Sequence, residues 1–351
     1  MRSSQSRVFE TVTLAVLTFC CLAELFFVVD GFSNVPSLNQ HAAIWKNKSV
    51  MNALPEFAAR NLVRELVEDE MCYSSLEGVQ KLLDACESNV VYQDGTQVNP
   101  IVGKSNVGSY LNNNKNYHQR RLDKISDGTN ACGFTWTWVT DTEEGLRGTT
   151  FVQLNPASGQ IQYVCELAEP LYKPGDGTVD FFKLITKDYE PLEEEQDELI
   201  IRTPTTASDI ASYMFTEIRG RNMTETLRFY ENDITYQDFN YESSFHGIPE
   251  VKNFLEKFTS IKGVTFTPIQ FDDGITSSCF LWKVQIMDAP DDILGISFYE
   301  TNPETGKICF IRDIPESAIK PPPLGTLARN FRPTLGVFTP KPLGSRPFGI
   351  S

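Results

Sequence analysis

Apolar residues at Phe57, Leu62, Val63, Leu66 and Val67, and again at Leu76, Val79, Leu82 and Leu83, recur at helical spacing and predict two helices. Val90-Val91-Tyr92 reads as a short strand, and Val107–Leu111 as a short helix after a turn at Gly103. Phe134, Trp136 and Trp138 then alternate with Thr135 and Thr137, the period of a strand with one buried face. Two further strands, Thr149–Leu154 and Gln160–Leu167, flank Asn155-Pro156-Ala157-Ser158-Gly159, a hairpin loop by composition.

The pattern then repeats. A shift of 144 residues lays Leu83–Leu111 on Leu227–Leu255 without a gap, with Tyr92-Gln93-Asp94 on Tyr236-Gln237-Asp238, Gly103 on Gly247 and Val107 on Val251. Further along the shift is 147: Gly148 meets Gly295, Phe151 Phe298, Asn155-Pro156 Asn302-Pro303, Gly159 Gly306 and Ile161 Ile308. Glu169 meets Glu316, and Lys173-Pro174 meets Lys320-Pro321. A change of three residues between the blocks is what a surface loop tolerates. The second copy predicts helices near Ile210–Ile218 and Thr224–Tyr230, a strand at Ile234–Tyr236, and strands near Ser278–Met287, Ile293–Thr301 and Lys307–Asp313. Helices followed by an antiparallel meander indicate an α+β fold, a curved sheet wrapped on its helices.

The N-terminus reads as an address. Arg2 and Arg7 precede an apolar run from Leu14 to Val29 that ends at Val29-Asp30-Gly31, the order of a secretory signal. Glu24 inside the run disfavours a permanent span, although a retained signal anchor is the alternative. Residues 32–55 begin at Phe32, contain Ser33, Ser37 and Ser49, and carry Lys46 and Lys48 with no acid, as a transit peptide does. Signal and transit-like stretch together resemble the bipartite presequence of algae with secondary plastids. Plastid import is therefore expected, with no spanning segment in the mature form; secretion is the alternative, and it would make the sequons at Asn47 and Asn222 glycosylation candidates.

Charge divides the chain further. The formal net charge is −15; residues 1–31 hold −1, residues 32–55 hold +2 and residues 317–351 hold +5, which leaves −21 on 56–316. A body that acidic repels phosphate backbones, so nucleic acid is excluded as its partner. Asp188–Glu198 is an acidic linker, and the tail carries Pro321-Pro322-Pro323 and Lys320, Arg329, Arg332, Lys341 and Arg346 without an acid. Such a tail is either an unstructured end or a peptide that docks on an acidic surface, this protein's own or a partner's. Six cysteines beyond the presequence, with no CxxC pair, fit buried hydrophobes better than a disulfide framework, and no metal or cofactor motif is present.

The order helix, helix, Tyr-x-Asp strand, Gly-turn-helix and long meander resembles the cone-shaped SnoaL-like, or nuclear transport factor 2-like, superfamily. Repeat two carries it best, in Phe229–Asp238 and in Phe245-His246-Gly247 leading to Phe254-Leu255. Ser297-Phe298-Tyr299, Arg312-Asp313-Ile314, Glu316 and Lys320-Pro321 are similar to a plastid SnoaL-like family of plants and algae. The resemblance implies two tandem cones, at 56–175 and 207–321, joined by an acidic linker at 176–206 and followed by an extended tail at 322–351.

A cone of this kind implies a ligand pocket. Asp94 and Asp238 fall where the similar ketosteroid isomerases keep a general base, which gains basicity from desolvation. Tyr213 aligns as an oxyanion donor only with a one-residue gap, the second donor position near Ser297-Phe298 has no acid, and His246 stands at the expected rim. A possible catalytic set is therefore Asp238, Tyr213 and His246, and a possible pocket lining is Asp94, Tyr92, Trp136, Trp138, Tyr236, Phe280, Trp282 and Phe298. The competing readings are plain: each Asp hydrogen-bonds the turn after its strand, His246 is solvated, and the aromatics are core. Because the oxyanion partner is incomplete in both repeats, the expected function is non-catalytic, binding of an apolar small molecule or of a protein complex. An isomerase or cyclase using Asp238 is the alternative. His118, beside Arg120-Arg121, reads as a surface loop.

Overall fold

The computed structural model describes residues 54–113, 117–140, 145–170, 172–190, 201–287 and 292–316. The stretch read as a signal, nearly all of that read as transit-like, most of the acidic run and the tail lie outside the described residues.

Cone 1 opens with α1 (Ala58–Arg64), which continues into a π-helical turn at Glu65–Asp69, then α2 (Leu76–Ala85). Strands β1 (Cys86–Asp94) and β2 (Ile101–Val102), helix α3 (Lys104–Asn113), and β3 (Arg120–Ile125), β4 (Ala131–Trp138), β5 (Arg147–Leu154) and β6 (Ile161–Ala168) follow. Helix α4 (Asp176–Ile185) comes next. Cone 2 repeats the order with α5 (Ala207–Tyr213) and its π-helical turn Met214–Ile218, α6 (Met223–Leu227), β7 (Tyr230–Asp238), β8 (Phe245–His246), α7 (Gly247–Thr259), β9 (Val264–Phe271), β10 (Ser277–Ile286), β11 (Ile293–Thr301) and β12 (Ile308–Pro315).

The two sheets have the same strand order, β2-β1-β6-β5-β4-β3 and β8-β7-β12-β11-β10-β9. Each is mixed rather than purely antiparallel, because the first long strand and the last pair in parallel, with Asp94 opposite Glu166 and Asp238 opposite Asp313. Three helices start at a side-chain cap, whereas α1, α4 and α7 have none. Ser75 accepts from Gly78 N (3.0 Å), Thr206 from Asp209 N (3.1 Å), and Asn222 from Glu225 N (3.0 Å). The Asn222 carboxamide, a glycosylation candidate by its sequon, is thus already engaged in starting α6.

Three elements depart from the sequence expectation. β3 carries Arg120, Arg121, Asp123 and Lys124, and so reads as a polar loop; it is a strand whose charges find partners, Arg120 on Glu166 of β6, Asp123 on Thr137 of β4, Arg121 on Asp123 itself and Lys124 on Glu300 of β11. β9 contains Pro268, which sits at a register shift on an edge strand, where a missing N–H costs no ladder bond. Helix α4 occupies 176–185, the first part of the segment read as linker.

The alternation in β4 also misleads. Thr135 and Thr137 are as buried as Phe134 and Trp136, because the face opposite the helices is covered too. One core fills each cone between helices and sheet, and a third lies between the sheets, built from Ala131, Phe151, Cys165 and Leu167 of cone 1 and Phe239, Cys279, Leu281, Leu294, Ile296, Phe298 and Ile314 of cone 2. β4 meets β10, β5 meets β11 and β6 meets β12. Equivalent strands facing each other is the mark of an isologous, two-fold contact.

Hydrogen bonds repeat that symmetry. Asp127 accepts from Ile275 N (2.8 Å), Thr276 N (3.0 Å) and Ser277 N (3.2 Å). Reciprocally Asp273, 146 residues on, accepts from Thr129 N (2.8 Å) and Asn130 N (3.0 Å). On the axis itself the residues differ: Ser126 Oγ donates to Asp272 (2.5 Å), and Gly133 faces Cys279, where a Cβ at 133 would lie 2.1 Å from Sγ. Each position faces its own counterpart, so two copies of cone 2 would oppose two carboxylates and two thiols there, and two copies of cone 1 two hydroxyls and two glycines. A single chain carrying both halves avoids this.

Asp127→Ala is expected to cost about 2–3 kcal/mol, because three backbone N–H groups lose a charged acceptor; urea unfolding at pH 7 reads it, and an unchanged midpoint contradicts it. Burial works to raise the Asp127 pKa, but the bonds from Thr276, Ser277 and Ile275 win and hold it below 3.8. Its contribution is therefore complete above about pH 4 and lost as pH falls further.

Candidate functional site

Both cones are built around one acid on the last strand. In cone 1 Glu166 is gripped by Arg120 through two hydrogen bonds, 2.6 and 2.8 Å, and accepts from the Tyr92 hydroxyl at 3.1 Å. Trp136 Nε1 donates to Thr150 Oγ1 (3.0 Å), whose hydroxyl lies 3.4 Å from the same carboxylate. The Arg120 guanidinium is sandwiched 3.6 Å from the Tyr73 ring and 4.2 Å from Trp136. A buried bidentate pair between aromatic faces is strongly held, and it fills the space a ligand would need.

Cone 2 has the same frame with a different centre. Trp282 Nε1 donates to Ser297 Oγ (2.7 Å), Ser297 donates to Asp313 (2.5 Å), and Tyr236 donates to the other Asp313 oxygen. No cation faces Asp313 in these bonds. Arg120 lies opposite Trp138 in β4, while Phe266 lies opposite Val284 in β10, 146 residues later, so Phe266 holds the place of Arg120. Aromatic rings line the cone instead, Tyr236 to Phe254 (5.1 Å) and Phe254 to Phe258 (5.4 Å), and the series ends at its exposed edge, where Phe266, 36% exposed, meets Phe258 (6.1 Å) and Trp282 (5.4 Å).

Asp238 is 6% exposed and accepts from Asn240 N at 2.7 Å, the bond of an Asx turn after its strand. Burial, and then the Asp313 charge, push its pKa up to about 7; burial pushes Asp313 up to about 6. Folded pKa values above the unfolded 3.8 mean that the folded state holds protons more tightly. This contribution to stability is full at low pH and declines as pH rises from about 4 to 7. The pair is expected to cost about 2–4 kcal/mol over that range, and Asp238→Asn should flatten the curve in urea titrations at pH 4.5 and 7.5. An identical pH slope in the variant would contradict the assignment.

The other sequence candidates go elsewhere. Asp94 accepts from Thr96 N (2.7 Å) and Tyr110 OH (2.7 Å), so it too closes its turn. Tyr213 OH donates to Glu225 (3.0 Å), which pairs with Arg228 (2.8 Å). His246 is exposed on β8, its ring nitrogen 3.4 Å from Thr235 Oγ1. Asp238, Tyr213 and His246 thus direct their polar atoms to separate neighbours. Tyr92, Trp136, Tyr236, Phe280 and Trp282 do line the interiors, as packed core. Phe298 does not; on β11 it points the other way, into the core between the sheets. Trp138 stacks on His118 at 4.1 Å, and Arg120, placed by sequence in a surface loop, is buried.

Two depressions stand out among the described residues, and neither is a cone interior. One of about 820 Å³ lies between α2 and α3, lined by Gln80, Leu83, Ser88, Lys104, Ser105, Gly108, Ser109, Asn112 and Asn113. The other, about 390 Å³, is lined by Thr206, Ser208, Asp209, Ser212, Phe271, Asp272 and Asp273. Sequence reading missed Arg120, Glu166, Ser297 and Asp313 as a set. The available signal was the spacing, since Glu166 and Asp313 stand 147 residues apart, as Gly148 and Gly295 do.

No family model matches the chain, and no curated protein does. Among solved structures it is similar to an NTF2-like protein of unknown function from Cytophaga hutchinsonii ATCC 33406, at 12% identity over 33% of this chain and 94% of that one, TM-score 0.26. It is similar to the epoxide hydrolase/cyclase-like enzyme SalBIII at 15% identity over 31% and 89%, TM-score 0.26. A protein of unknown function with a cystatin-like fold from Methylobium petroleophilum PM1 matches at 15% identity over 42% and 99%, TM-score 0.30.

Proposed function

We propose that the chain is a tandem duplication of a SnoaL-like cone that works as a non-catalytic plastid protein, and that its main task is assembly with a protein complex. The observation that carries this is the packing of both interiors by the protein's own side chains, Arg120 and Glu166 in cone 1 and Tyr236, Phe254 and Trp282 in cone 2, with Phe258 and Phe266 toward the exposed edge. A preformed pocket is the usual requirement of a small-molecule site, and an acid tied to a turn or to a guanidinium is not free to abstract a proton. The presequence supports plastid import, with secretion as the alternative.

The second reading, an isomerase or cyclase, rests on one observation: Asp238 is pushed up to about 7, where a general base operates best. Purification of the full chain from its native organelle, followed by mass spectrometry of co-purifying proteins and small molecules, separates the two. Assembly predicts a reproducible protein partner and no stoichiometric small molecule. A small molecule retained by the parent and lost in Asp238→Asn would overturn the proposal in favour of the enzyme. Import is read separately, by fusing residues 1–55 to a fluorescent protein and locating it.

A further inference from the structure

The two-fold arrangement gives the layer between the sheets two equivalent corners, one at Cys165 of β6 and one at Arg312 of β12, 147 residues later. At the first, cone 2 supplies Leu281, Leu294 and Ile296, which share a buried core with Cys165, and Ile269 stands at the bulge of β9. At the second, cone 1 supplies Thr135, Arg147 and Thr149 at the matching positions, and Asp123 stands at the bulge of β3. Arg312 enters this layer between Phe310 and Ile314, both packed in the same core. One corner is sealed by aliphatic side chains; the other, on an equivalent frame, is polar.

The polar corner does not satisfy itself. Arg312 is 6% exposed; its Nε donates to Gln237 (2.8 Å), and its guanidinium lies 5.3 Å from the centre of the Phe239 ring. Its Nη1 has no hydrogen-bond partner among the described residues, and Asp123 stands 4.0 Å from it. Asp123 is engaged elsewhere, by Thr137 Oγ1 (2.7 Å) and Arg121 Nε (2.9 Å). Thr135 Oγ1 and Thr149 Oγ1, opposite each other on β4 and β5 and fully buried, likewise have no partner among the described residues. Burial pushes the Arg312 pKa down to about 10, and the charges of Asp123 and Glu169 do not outweigh burial and Arg147 together. Unpaired buried polar groups cost stability, and the mirror corner shows that aliphatic residues close the same contact without that cost.

Charge gives the sign of a partner. Arg121, Lys124, Arg147, Lys173 and Arg312 share only Asp123, Glu169 and Glu300 at hydrogen-bond distance, and the exposed Glu242 reaches Lys173 at 4.0 Å. In a body that is acidic as a whole, this corner is cationic. We propose that it binds a small monovalent anion, of halide or nitrate size, held between the sheets by Arg312 Nη1 and the hydroxyls of Thr135 and Thr149. All three donors belong to side chains more than nine-tenths buried, so the anion sheds its water on entry and has to be small. The exposed Arg121, on edge strand β3, marks the solvent side of the corner.

Thermal unfolding of the full chain in sodium chloride or sodium nitrate, held at constant ionic strength with sodium gluconate, tests this. The midpoint is expected to rise with at least one of the two anions, by about 3 °C for each tenfold increase above the dissociation constant. Arg312→Met should lose that dependence. Should this variant fail to fold, Thr135→Val with Thr149→Val, which keeps the shape and removes both hydroxyls, should weaken anion binding at least about tenfold. A parent midpoint indifferent to the anion at fixed ionic strength overturns the proposal, because water alone then serves the corner. So does an anion dependence undiminished in Arg312→Met or in the double valine variant, which would place the anion elsewhere.

Discussion

Gly133→Val is expected to unfold the chain at physiological temperature or to cost it about 3 kcal/mol or more. A Cβ at 133 would stand 2.1 Å from Cys279 Sγ and 2.2 Å from Cys279 Cβ, inside a core where neither strand can retreat. The loss can be traced to the axis by a swap. Gly133→Cys alone should be about as damaging as valine, whereas Gly133→Cys with Cys279→Gly restores one small and one large residue at the same contact. Guanidinium unfolding of the four proteins gives the coupling energy, expected to exceed about 2 kcal/mol. Additive losses would mean that the two residues do not face each other, and the two-fold arrangement would fall with them.

Arg120→Leu should cost about 3–5 kcal/mol, because Glu166 stays buried with its cation gone. Tyr92 and Thr150 are the remaining donors in its shell, and neither carries charge. Arg120→Leu with Glu166→Gln removes the charge and should recover most of the loss. Cone 2 shows that the frame tolerates such a centre, with Phe266 where Arg120 stands and Asp313 held by Tyr236 and Ser297. A single variant as stable as the parent in urea unfolding at pH 7 would contradict the ion pair as the core of cone 1.

The contrast between the centres explains what sequence could and could not reveal. The common order of elements was legible because Tyr92-Gln93-Asp94 and Tyr236-Gln237-Asp238 sit at matching register on β1 and β7. Helices and meander followed from apolar spacing. β3 was illegible because period-two burial assumes apolar residues inside, and there the inward residue is an arginine whose partner lies 46 positions away. The alternation in β4 was legible but half right, since only packing between sheets reveals that Thr135 is as buried as Trp136. Phe298 was misplaced for the same reason: an aromatic on a doubly covered sheet can serve either core. The roles of Asp94 and Asp238 turned on one loop residue each, the N–H groups of Thr96 and Asn240, and no pattern in a single sequence separates a turn cap from a base.

The acid at each centre also marks where the halves differ. Cone 1 neutralises it with a guanidinium; cone 2 leaves it to two hydroxyls and surrounds it with rings. The axis shows the same difference, Ser126 against Asp272 and Gly133 against Cys279. Different residues at positions that meet their own counterparts are what one chain carrying both halves permits and a pair of identical chains does not.

A crystal structure of the chain purified from its native source tests the filled-cone account most directly, through the electron density inside the two cones. The account predicts Arg120 on Glu166 between Tyr73 and Trp136, Phe266 against Trp282, Asp238 on the Asn240 turn, and no density left over. Ordered density of a small molecule between Tyr236, Trp282 and Asp238, with the rings parted around it, would contradict it.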